Sequence, residues 1–306
     1  MLFVNSYHPG YAWSDQVQRG AETVLRAGNA DVRVVYMDSK RKPGDASLRA
    51  AAERVLAEIV AFRPEVVIAA DDNAQRFLVV PHLKDGPIPV VFCGVNWDAS
   101  EFGYPTRYVT GMVEMEAVNT LVGHLRKFAR GDRIGFLADE SETERKIFDN
   151  YNRRFFGGRL IPYFAVKFAE FKAHFLRAQS ETDMLILAGN AAISDWDDAE
   201  ARDFVARHGR VPTGATMDYM APYAMVTMAK VPEEQGQWAA SRALDILAGV
   251  PPLAIPVSWN NQARLIVNLD LAQASGFSVP LSLLRAASEV IGGGRSELAR
   301  SLQAGS

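Results

Sequence analysis

The sequence predicts an α/β protein built as two doubly wound parallel-sheet lobes with a ligand cleft between them. Short apolar runs rich in Val and Ile alternate with amphipathic helical stretches, the pattern of a parallel sheet covered on both faces. The alternation is interrupted by a loop holding Gly103 and Pro105 and then begins again at about the same size. A length of 306 residues exceeds what one hydrophobic core usually serves.

The elements follow in order. A strand at Leu2–Asn5 leads through Ser6-Tyr7-His8-Pro9-Gly10-Tyr11-Ala12-Trp13-Ser14 to a helix from Asp15 to Ala27, with Ser14 or Asp15 as N-cap and Gln18 three positions after Asp15. Strand Val32–Met37, helix Leu48–Phe62, strand Val66–Ala70, helix Asn73–Leu83, strand Val90–Gly94 and strand Tyr108–Val113 complete the first run. The second run comprises helix Ala117–Phe128, strand Arg133–Ala138, a helix to Phe155 opened by the capping box Ser141-x-x-Glu144, strand Tyr163–Val166, helix Glu170–Gln179, strand Met184–Ala188, helix Asp197–His208 and strand Thr213–Thr216. Beyond Met217 the pattern breaks into strand Ala224–Ala229, helix Glu233–Ala248, strand Arg264–Asn268 and helix Leu281–Val290. These elements place lobe 1 at residues 1–110 plus about 231–255 and lobe 2 at 111–230. Residues 256–291 are left unassigned, and 292–306 read as a flexible tail. Crossovers near Val109–Val113, Met228–Pro232 and Pro256–Asn261 would act as hinges.

Composition narrows the function. The chain is 48% hydrophobic and 23% charged, with a net charge of −3, so packed cores are expected and a nucleic-acid partner is not. The single cysteine, Cys93, lies in the strand pattern Val90–Gly94 and reads as a buried thiol. No G-x-S-x-G, Walker A, H-E-x-x-H or C-x-x-C motif is present, and the five histidines are not spaced as ligands of one metal. No catalytic residue, metal ligand or cofactor is therefore expected.

The informative residues collect at strand C-termini, where open α/β sheets bind ligands. A turn needs Pro and Gly but not the aromatics and histidine that follow the first strand, so His8, Tyr11, Trp13 and Ser14 are candidates for ligand contact. Asp71, Asp72 and Asn73 follow the third strand, and Asn96 and Trp97 the fourth. In the second run the corresponding residues are Asp139, Glu140 and Ser141, then Asn190, then Asp218 and Tyr219. Helix N-termini suit a carboxylate, Asp71, Asp72, Asp139 and Asp218 suit an ammonium, and the aromatics would cover an apolar part. An amino acid or related zwitterion meets all three demands. The same carboxylates could serve a hydrolase or lyase, a reading that lacks a recognisable nucleophile or base.

Several stretches resemble a known family. Pro89-Val90-Val91-Phe92-Cys93-Gly94-Val95-Asn96, Val109-Thr110-Gly111-Met112, Arg133-Ile134-Gly135-Phe136-Leu137 and the C-terminal run from Ile255-Pro256-Val257 through Leu265-Ile266-Val267-Asn268-Leu269 to Ala287 are similar to ABC-transporter substrate-binding proteins of the tryptophan/tyrosine-type group. The resemblance implies the type I periplasmic-binding-protein fold, a monomeric binding protein without enzyme activity, and a membrane permease as partner. It implies a periplasmic or extracellular-facing location, with a signal or anchor segment absent from this chain. The opening turn resembles more closely the extracellular sensing domains of bacterial signalling receptors, which makes a receptor signalling domain the alternative partner. Asp71-Asp72-Asn73 departs from the small or hydroxyl-bearing residues usual in the family at that position.

Overall fold

Residues 1–293 are described by the structure, a computed structural model; the part of the expected tail from residue 294 onward lies outside them. The chain divides into two compact units, Met1–Met115 with Val231–Gln262, and Glu116–Lys230 with the residues from Ala263 onward. The division falls some residues beyond the boundaries read from sequence at 110 and 255. The last strand of the first sheet runs on to Glu114, and a two-residue strand at Ser258–Trp259 pairs beside it.

In the first unit, β1 (Leu2–Asn5), β2 (Arg33–Tyr36), β3 (Val67–Ala70), β4 (Val90–Asn96), β5 (Val109–Glu114) and, later in the chain, β11 (Ser258–Trp259) form a parallel sheet in the order β11-β5-β4-β3-β1-β2. Successive side chains alternate between two cores, as strand geometry requires. Leu2, Val4, Val67, Ala69, Val90 and Phe92 face α2 (Asp45–Phe62) and α3, which opens over Asp72–Ala74 and continues with π winding over Gln75–Leu83. Phe3, Ile68, Ala70, Val91 and Cys93 face α1 (Ala12–Ala27) and α8 (Pro232–Leu247). The two helices of this second layer touch backbone to backbone. A Cβ on Gly236 would stand 1.8 Å from the Val17 carbonyl oxygen, so only glycine permits the approach.

The second unit repeats the topology with β6 (Ile134–Asp139), β7 (Ile161–Ala165), β8 (Met184–Leu187), β9 (Thr213–Ala215) and β10 (Val226–Lys230), followed in the chain by β12 (Ala263–Asn268) and β13 (Glu289–Ile291). The strand order is β13-β12-β10-β9-β8-β6-β7. One face packs Leu137, Leu185, Leu187 and Ala215 against the phenylalanines of α6 (Phe168–Glu181) and against α7 (Asp198–His208). On the other, α4 (Val118–Leu125) lies over Gly214, and α5 (Glu142–Arg154) sets Tyr151 edge-on to Phe136.

Several sequence expectations are corrected. The sheet of the second unit is not wholly parallel, because β12 runs antiparallel to β10 and carries β13 alongside. The helix expected over Leu281–Val290 stops at Ala286 (α10, Leu281–Ala286), since Val290 and Ile291 pair with Val267 and Asn268 at the sheet edge. A short helix, α9 (Leu269–Ala274), capped by Asn268, fills a stretch that carried no assignment. Helix α1 begins at Ala12, not Asp15, with Tyr11 at its N-cap and no side-chain cap. The Asp15 carboxylate reaches back to accept from the Gly10 N–H at 2.9 Å, and Gln18 donates to Glu22, so neither Ser14 nor Asp15 plays the expected capping role. Ser141 does cap α5, accepting from the Glu144 N–H at 3.2 Å, but the Glu144 carboxylate does not close the box and turns into the protein.

Candidate functional site

In a doubly wound sheet the crevice opens where the chain reverses its direction of travel, outside the strand carboxyl ends. That point lies between β1 and β3 in the first unit and between β6 and β8 in the second.

At the first switch point, the Ser6 hydroxyl donates to the Ala70 carbonyl at 2.6 Å and accepts from the Ala74 N–H at 2.9 Å, joining the turn after β1 to the start of α3. The Asn5 side chain accepts from the Tyr7 N–H at 3.0 Å. So anchored, the turn sets Tyr7 and Tyr11 with ring centroids 4.8 Å apart, and the Lys40 ammonium lies 4.8 Å from one centroid and 5.3 Å from the other. This is a cation–π arrangement. His8 is half-buried beside Tyr11, its Nδ1 bonded to the Pro9 carbonyl at 2.9 Å. Burial pushes the Tyr7 hydroxyl far above its ordinary range, with further upward contributions from Asp71, Tyr11, Asp72 and Glu114. Asp71 is buried with φ +69°, a left-handed conformation that a non-glycine residue adopts at some cost and that marks functional sites in particular. Asp72 accepts from the backbone and side-chain amides of Asn96 at 3.2 and 2.8 Å. Burial nevertheless raises its pKa.

At the second switch point, Asp139 closes β6. Its Oδ2 accepts from the Ala192 N–H at 3.0 Å, while Oδ1 is buried without a hydrogen-bond partner. Glu144 packs its carboxylate against Gly189, where a Cβ would stand 2.2 Å from Oε1, and accepts from the Gly189 N–H. Its Oε2 is also buried and unpartnered. Burial pushes the Glu144 carboxyl up to about 7, with Asp139 and Glu116 adding to the rise against the opposing Gly189 bond. Nearby, Lys230 at the end of β10 bridges the buried Glu116 at 3.1 Å, and the Tyr151 hydroxyl meets Thr216 at 3.0 Å. Tyr219 is 49% exposed, and its hydroxyl is pushed up to about 12 by burial and by Glu144, Asp139 and Asp218.

Residues 15–291 match the family of ABC transporter substrate binding proteins. The chain belongs to that family. Solved structures with which this substrate-binding protein shares its fold include a ligand-free, open substrate-binding protein with adhesive properties from Clostridium difficile (17% identity, TM-score 0.71, 95% of this chain and 98% of that one). Another is an ABC domain in complex with L-Trp from Streptococcus pneumonia (17% identity, TM-score 0.58, 95% and 100%). A third is an ABC transporter solute binding protein from Bradyrhizobium sp. BTAi1 with bound bis-tris (16% identity, TM-score 0.57, 92% and 85%). Their common fold is that of type I periplasmic binding proteins. No curated protein matches the chain by sequence.

Within the substrate-binding protein, the residues singled out from sequence fall into distinct surroundings. His8, Tyr11, Asp71, Asp72 and Asn96 gather around Tyr7 at the first switch point. Asp139, Asp218 and Tyr219 gather with Glu144 at the second, and Asp218 also accepts from Arg264 at 3.3 Å. Trp13 packs on the core between α1 and α8, and Ser14 is buried. Glu140 forms an exposed ion pair with Arg145, and Ser141 is a helix cap. Asn73 is half-buried in the first turn of α3 and Asn190 in the loop after β8, and Trp97, at φ +63°, donates its N–H to the Glu114 carbonyl. Sequence reasoning noted Tyr7 as an aromatic that the turn does not need without counting it as a contact, and passed over Lys40, Glu114, Glu116 and Glu144. Glu114 could have been found by the strand-end rule applied to the other strands, whereas Glu144 carried the signature of a cap. Among the described residues no group of His, Cys, Asp or Glu side chains could hold a metal ion, and no helix is long and apolar enough to cross a membrane.

Proposed function

We propose that this protein captures a small, polar, amino-acid-like solute with side chains at the strand carboxyl ends of both units, and delivers it to the permease of an ABC importer on the outer side of the cytoplasmic membrane. The observation that carries the proposal is the placement of buried carboxylates at both switch points, with half-buried Tyr7 and Tyr11 at the first and exposed Tyr219 at the second, in a chain from a substrate-binding family. Tyr7, Tyr11, Asp71, Asp72 and Asn96 would hold the solute on the first unit, and Asp139, Tyr219 and Asp218 on the second. The neighbours crystallised with L-Trp and with bis-tris, both amine-bearing molecules, support an amine-bearing ligand. The chain would work as a monomer without nucleic acid.

A second reading, a ligand-sensing domain of a signalling receptor, uses the same site and is favoured by the His8-bearing aromatic turn. The test is native mass spectrometry of protein purified without added ligand, followed by calorimetry of the solute it retains. Tyr11→Ala and Asp218→Ala should each weaken binding about tenfold or more, and unchanged affinity in both would remove the site assignment. Association of the loaded protein with a permease, as opposed to control of a kinase or cyclase, separates the two readings.

A further inference from the structure

At the switch point of the second unit, two buried carboxyl groups each leave an oxygen without a hydrogen-bond partner. They are Asp139, 2% exposed, and Glu144, 6% exposed. The groups facing Glu144 are Asp139 from β6, Glu116 from the segment before α4, Tyr151 from its own helix, the Gly189 N–H after β8, and Tyr219 after β9. Among the described residues, Lys230, whose charge is felt at Tyr219, is engaged with Glu116. Unpartnered buried carboxylate oxygens are costly to fold stability in general, so a chain retains them where something else completes them. Near them stands Tyr219, an exposed aromatic residue.

We propose that Asp139 and Glu144 are the paired acceptors for a cationic group of the solute, a primary ammonium or its like. This rests on the proposed solute-binding function and assigns the charge-recognition subsite within it. The ammonium donates its N–H bonds to Asp139 Oδ1 and Glu144 Oε2, and the Tyr219 ring lies alongside. A carboxyl that holds a proton near neutral pH must release it to receive a cation, so binding of the cation and ionisation of Glu144 are linked: R–NH3⁺ enters, and H⁺ leaves to solvent. Glu144 is thereby a ligand-contact residue, and the site binds more tightly as pH rises through the neutral range.

The probe is methylammonium chloride, titrated into the full chain against equal sodium chloride, with the unfolding midpoint of the second unit as readout. Wild type should be stabilised by methylammonium beyond the salt control. The apparent affinity should be about tenfold higher at pH 8 than at pH 6, the ratio of ionised fractions for a group titrating near 7. Glu144→Gln should lose most of the methylammonium effect and all of its pH dependence, and Asp139→Asn should weaken it at both pH values, with circular dichroism confirming that both variants fold. No stabilisation of wild type, or an equal effect in wild type and Glu144→Gln, overturns the assignment. Retention of an organic solute by a protein that ignores methylammonium would leave the binding function standing and refute this pair alone. A methylammonium response in a protein that retains no organic solute under any condition would do the reverse.

Discussion

Replacing Glu144 by Gln keeps the side-chain shape and removes only the ability to ionise, so it isolates the electrostatic cost of this position. The carboxyl titrates at its ordinary 4.5 in the unfolded chain and at about 7 in the folded one. Between those values the folded state holds the proton that the unfolded state has lost, so stability falls as pH rises. Once both states are ionised the accumulated cost is about 3 kcal/mol, from about 1.4 kcal/mol per tenfold difference in proton affinity. Glu144→Gln should therefore match wild type near pH 4 and exceed it by up to about 3 kcal/mol near pH 8. Trp196 is the only tryptophan of the second unit, so urea titrations followed through its 19F resonance, after 5-fluorotryptophan labelling, report on that unit alone. Parallel stability curves for the two proteins from pH 4 to pH 8 would refute the claim that Glu144 is buried and unsatisfied.

Three further predictions test the local reading. Gly236→Ala should destabilise the first unit by about 1–3 kcal/mol, because its methyl group would meet the backbone of α1 rather than a side chain able to rotate away; urea denaturation checks this. Ser141→Ala should cost about 1 kcal/mol through loss of the α5 cap. By contrast Ser14→Ala, which removes a buried hydroxyl without a hydrogen-bond partner, should be neutral or stabilising by a few tenths to about 1 kcal/mol in the same assay.

Hydrophobic periodicity alone determined much of this protein. Wholly apolar runs such as Val66–Ala70 and Val90–Gly94 can be satisfied only by covering both faces of a strand, and their alternation with amphipathic helices fixes parallel crossovers and the position of the turns at strand carboxyl ends. From that placement Asp71, Asp72, Asn96, Asp139 and Asp218 could be picked out as residues at strand carboxyl ends. What the sequence could not contain is the direction in which each polar side chain turns. Ser141-x-x-Glu144 has the spacing of a capping box, yet only Ser141 behaves as one, because Gly189 in the next crossover leaves room and an N–H for the carboxylate. Trp13 and Tyr11 are two residues apart on one turn, yet one covers a core and the other lies tilted against Tyr7 near the Lys40 ammonium, since helix α1 starts three residues earlier than its polar residues suggested. The antiparallel β12 and the terminal β13 likewise depend on which edge was left unpaired, a property of the assembled sheet. Local pattern thus fixed most of the strands and helices and the turns at the strand carboxyl ends, though not the limits of α1 and α10 or the presence of α9 and β13. Burial and partnership of the groups at those ends came from residues distant in the chain, and only tertiary structure decided them.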